Sequence, residues 1–138
     1  MGAAASWVVG KLFAGHAPSA ASGPFTGIVM SFGAGFYEEL AFRALLFGFG
    51  AKLLVWLFGG RHGAVTAGGT LLTVLWAVTS AAIFSGMHYL GPLGDTFELR
   101  SFVARGVLGL ALTLVYATRG FAAAVWTHAL YDVWVLAL

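Results

Sequence analysis

Phe36-Tyr37-Glu38-Glu39-Leu40-Ala41-Phe42-Arg43 sets two carboxylates and a guanidinium inside a run that is otherwise apolar; between Pro24 and Arg61 the only other charged side chain is Lys52. Ionisable groups at membrane depth are costly to bury, so by default they serve a function and have partners. The rest of the chain says whether this stretch lies at that depth. Of the 138 residues 60% are hydrophobic and 9% charged, with a mean hydropathy of +0.92. A soluble domain carries roughly 25% charged residues to coat its surface. The composition is that of an integral membrane protein of one domain. A net charge of +2 gives no electrostatic footprint for nucleic acid. The absence of cysteine removes disulfides and thiolate metal sites.

Working outward, residues 25 to 58 form one apolar stretch. At about 1.5 Å per residue it is far longer than the ~30 Å hydrocarbon core, so it tilts, kinks or projects. Gly33 and Gly35 are the expected kink. Residues 69 to 89, 99 to 118 and 121 to 138 read as three further membrane helices. They are separated by the loops Gly59-Gly60-Arg61-His62-Gly63 and Gly91-Pro92-Leu93-Gly94-Asp95 and by the tight connection Arg119-Gly120. Residues 3 to 15, interrupted by Lys11, are too short to span and read as a short interfacial helix. The loop from His16 to Pro24 follows. The expected organisation is a short N-terminal helix and loop at 1–24 and a core at 25–138. The fold class is all-α, a polytopic bundle of four transmembrane helices around a polar intramembrane cavity.

Three of these helices carry polar side chains at helical spacing. Glu39 and Arg43 are four apart, as are Phe84 and His88, and His128 and Asp132; such pairs share a face. Glu39 one turn before Arg43 is the favourable order for an intrahelical ion pair, which would hold Glu39 in place. Glu38 points about 100° away and has no such partner on its own helix, so it is the candidate general base, acting through a water. His88 could share that water. His128 and Asp132 would face the substrate. A neutral imidazole N–H can donate to a developing oxyanion. Asp132 donates only when protonated and otherwise orients His128 through a ring nitrogen. The bland reading of the Glu-Arg pair is glue between helices, and of a lone membrane histidine, simple packing. Asp95 and Glu98 read as a solvated loop face, Lys52 as a snorkelling side chain, and Trp7, Trp56, Trp76, Trp126 and Trp134 as lipid-facing or interfacial. Gly106 and Gly109 suit a close helix contact.

The ordered motifs Glu38-Glu39-x-x-x-Arg43, Phe84-x-x-x-His88 and His128-x-x-x-Asp132 resemble those of the CAAX prenyl protease and bacteriocin-processing family, also called type II CAAX endopeptidases or Abi proteins. Gly109, Tyr116, Arg119-Gly120 and Ala129 resemble its last conserved block. The resemblance covers residues from about 25 to 138 and implies an intramembrane endopeptidase. In it the glutamate matching Glu38 activates water with the histidine matching His88, and the residues matching His128 and Asp132 form an oxyanion site. Eukaryotic members remove the last three residues of prenylated CAAX proteins, and bacterial members are linked to bacteriocin maturation and self-immunity. Prenyl proteases carry Asn at the position of Asp132, and an ionised Asp132 would repel an oxyanion. Family proteins also have additional N-terminal membrane helices, so this chain is expected to match their core.

The implied partners are membrane lipid and a peptide or protein substrate, including lipid-modified ones, and the implied location is the bacterial cytoplasmic membrane. No cofactor is expected. The alternatives are a zinc version held by Glu38, His88 and His128 with an open position for water, a non-catalytic scaffold or self-immunity protein of the same fold, and a proton-coupled carrier.

Overall fold

The computed structural model describes residues 24–58, 66–91 and 94–137. The expected N-terminal helix, His16, His62 and the centres of two loops lie outside these residues. Every regular element among them is helical: α1 (Pro24–Glu39), a π-helical stretch (Leu40–Phe49), α2 (Gly50–Phe58), α3 (Ala67–Met87), α4 (Leu99–Arg119) and α5 (Phe121–Ala137).

Among the described residues three rods are long and apolar enough to cross a membrane: Phe25–Phe58, Ala67–Met87 and Leu99–Arg119. The expectation of a fourth span falls on α5, whose described part is 17 residues. Large apolar side chains such as Leu45, Val78, Val107 and Leu114 stand exposed. The buried interior is unusually polar, with Ser31, Glu39, Arg43, Ser85, His128 and Asp132 in it. That inversion suits a bundle solvated by lipid and organised around a polar centre.

The first rod departs from α geometry, but not at Gly33 or Gly35. α1 runs unbroken through both, and the change comes at Leu40, directly after the two glutamates. Gly35 instead serves a close approach: a Cβ there would lie 3.0 Å from the Cβ and backbone nitrogen of Ala129 on α5, whereas one on Gly33 would meet nothing within 4 Å. The π-helical stretch shifts each hydrogen bond to the fifth residue back and leaves carbonyls to be satisfied from outside. Trp76 donates its indole N–H to the Leu46 carbonyl at 2.8 Å. This tryptophan, expected to face lipid, is therefore a fastener between α3 and the first rod, while Trp56, Trp126 and Trp134 are exposed as expected.

α3 lies antiparallel to the first rod. Gly69 meets Val55, Trp76 meets Leu46, and the Phe84 ring meets that of Phe42 at 5.2 Å. α4 packs back on α3, where a Cβ on Gly109 would lie 3.1 Å from Phe84 and 3.3 Å from Ala81. Gly106 faces open space, so only one of the two glycines makes that contact. Gly120, at φ 88°, turns the chain from α4 into α5 in a conformation that side chains with a Cβ rarely adopt.

Candidate active site

Glu39 ends α1 with no exposed surface, and Arg43 follows on the π-helical stretch at 1%. The expected ion pair is present, with Arg43 Nη1 3.0 Å from Glu39 Oε1. By hydrogen-bond geometry, however, Nη1 and Glu39 Oε2 are buried polar atoms without a partner among the described residues. Arg43 also reaches two other helices. Its guanidinium lies 4.3 Å from the Phe84 ring centroid on α3, and Nη2 makes a long bond of 3.4 Å to the Gly109 carbonyl on α4. Without a Cβ at Gly109, α4 can come close enough for this.

α5 completes the group. His128 Nδ1 lies 2.8 Å from Glu39 Oε1. An ionised carboxylate only accepts, so Nδ1 carries the proton and donates. The opposite edge of the ring, Nε2, lies 3.7 Å from Glu38 Oε2 and 3.7 Å from Asp132 Oδ2. Those separations exceed a hydrogen bond, and a water that links these atoms would sit to one side of the line between them. The adjacent glutamates thus serve two edges of one imidazole. The hydrogen bond that holds the His128 ring is thus to Glu39, with Asp132 at the opposite edge. It also constrains oxyanion donation. With Nδ1–H committed to Glu39, donation from Nε2 requires the second ring proton.

His88 sits just past the end of the α3 span. Its Nδ1 lies 3.0 Å from the Phe84 carbonyl. Burial holds its pKa below the ordinary histidine value, against the pull of that backbone bond and with a smaller push from Arg105. No hydrogen bond or ion pair joins His88 to Glu38 among the described residues. The Phe84 ring stands between His88, at 5.1 Å, and His128, at 6.1 Å. The antiparallel pairing that sets Phe84 against Phe42 brings His88, one turn on, toward the level of Glu38 and Glu39. Among the described residues no group of three His, Cys, Asp or Glu side chains is placed to hold a metal ion.

Sequence reasoning missed Arg105. Given no role by its place in the apolar helix of residues 99 to 118, it is 8% exposed on α4. It pairs with Asp95 through Nη2, so Asp95 is not simply a solvated loop residue. Arg105 also lies 5.3 Å from the Tyr89 ring centroid. The available signal was its position four residues before Gly109, on the same helix face.

The family model described as Type II CAAX prenyl endopeptidase Rce1-like matches residues 20–134. No curated protein matches the chain, and no solved structure does.

Proposed function

The chain belongs to the Rce1-like type II CAAX prenyl endopeptidase family, and on that premise we propose that it is an intramembrane endopeptidase that hydrolyses peptide bonds with a glutamate-activated water. The observation that supports this best is the His128 ring, tethered to Glu39 at one edge and turned to Glu38 and Asp132, both 3.7 Å away, at the other.

Glu38 takes a proton from a water held beside its carboxylate as the oxygen attacks the peptide carbonyl carbon. The carbonyl π electrons move to oxygen, giving an oxyanion. Doubly protonated His128 donates to it from Nε2, and Asp132 donates when it holds a proton. The C–N bond then breaks as the proton on Glu38 passes to the departing amine. His88 is the second partner of the attacking water and enters past Phe84 when substrate opens the site. Glu39 and Arg43 position His128 without touching substrate. The helices enclose a polar, water-accessible cavity, the substrate is a peptide or protein that can carry a lipid, and the protein resides in a bacterial cytoplasmic membrane. No cofactor takes part.

The test is cleavage of prenylated and unprenylated peptides by protein purified into lipid, with and without chelator, beside Glu38→Gln. We expect cleavage that survives chelation and falls at least 10²-fold in the variant, about the scale of a lost general base. Full activity in Glu38→Gln would overturn the assignment. Loss to chelator with rescue by metal would replace it with the zinc reading.

A further inference from the structure

α3 and α4 pair antiparallel, and the contact of Phe84 with Gly109 fixes their register. One turn further toward the same end, the next residues on these faces are His88 on α3 and Arg105 on α4. A neighbouring bond, Ser85 Oγ to the Phe102 carbonyl at 2.7 Å, holds the two helices together there. Arg105 has nine-tenths of its side chain buried. Asp95 engages Nη2, and Tyr89 covers the guanidinium. Nη1 is buried with no hydrogen-bond partner among the described residues. A buried guanidinium N–H left unpaired costs free energy comparable to a lost charge-assisted bond, which makes it a strong candidate to receive an anion.

We infer that Arg105 Nη1 receives the C-terminal carboxylate of the substrate peptide. This rests on the endopeptidase reading above. Guanidinium N–H groups match carboxylate oxygens in geometry as well as charge. Arg105 stands about 6 Å along α4 from Gly109, whose carbonyl meets Arg43 at the edge of the candidate active site. Three residues of extended chain span about 10 Å. A chain end seated at Arg105 would therefore lay a bond three residues back beside Glu38 and His128. Asp95 sets the fork so that Nη1 stays directed into the protein. The arriving carboxylate displaces the Tyr89 ring rather than Asp95.

The test measures binding of an S-farnesylated Cys-Ala-Ala-Leu tetrapeptide with a fluorophore, as the free acid and as the C-terminal amide. It uses Glu38→Gln protein in lipid nanodiscs, with cleavage by the unsubstituted protein scored separately. The acid is expected to bind at least tenfold tighter than the amide, and the two to bind alike once Arg105→Gln is added. Equal binding of acid and amide to Glu38→Gln overturns the inference, as does a preference that persists after Arg105→Gln. Should Arg105→Gln fail to fold, Arg105→Lys, which keeps the charge but not the fork, is expected to cut the preference severalfold; an unchanged preference counts against the proposal. Acid preference without cleavage would sink the protease reading and leave the carboxylate subsite standing.

Discussion

At the scale of single residues, the Glu39 carboxylate is the hub. It takes Arg43 and His128 on one oxygen and is itself wholly buried. Removing one member of a buried ion pair leaves an uncompensated charge, a loss of about 3–5 kcal/mol. Arg43→Leu should destabilise the protein on that scale in detergent melts, and Glu39→Gln with Arg43→Leu should recover much of the loss. Failure of the double variant to recover would mean that the two groups act independently. His88 gives a pH prediction. Its folded pKa is lowered by burial, so the unfolded chain binds more protons just below the ordinary value of about 6.5. Stability from neutral His88 is present above that value and is lost as pH falls toward the folded pKa. Melting temperatures at pH 7.5 and 5.5 should differ in the natural protein, and the difference should shrink in His88→Gln. An undiminished difference would place the titration elsewhere.

At the scale of elements, α1 and α5 form the contact that brings His128 to the glutamates. Gly35 permits it, since a Cβ there would press on Ala129 at 3.0 Å. Gly35→Leu should part the helices, cost about 1–3 kcal/mol by overpacking and reduce cleavage. Gly33→Ala meets open space and should stabilise by up to about 1 kcal/mol through helix propensity. Equal effects in thermal unfolding would contradict the assigned packing. The sequence already carried much of this site. The spacings of Glu39 with Arg43 and of His128 with Asp132 are local, so helical periodicity placed each pair on one face. Which edge of His128 met which carboxylate depended on how closely α5 approached α1, a tertiary fact. The π-helical stretch left no periodic trace, because Leu40 to Phe49 is apolar on every side except at Arg43. Arg105 drew no role from the sequence because its partner, Asp95, lies ten residues back across a helix start, where helical spacing says nothing.

At the scale of the whole molecule, the apolar exterior and charged interior require lipid as solvent. Val78 lies near the middle of α3 and is 52% exposed. A lysine there should cost about 2.5–3.5 kcal/mol of insertion, read as loss of protein from the carbonate-resistant membrane fraction. Undiminished recovery would show that this face does not meet lipid. Reading the spans from composition worked for Ala67–Met87 and Leu99–Arg119 because continuous apolarity needs no tertiary knowledge. The long first rod was harder, since length alone did not say where its geometry changes.

That change has a mechanical consequence. Ten residues wound with bonds to the fifth residue back turn through roughly four to five residues per turn instead of 3.6, a lag on the order of half a revolution. The first rod is a crankshaft: α1 presents its working side to α5, while α2, beyond the offset, presents its own to α3. Substitution tolerance along the rod should then follow two helical waves out of phase with each other, with the break between Leu40 and Phe49.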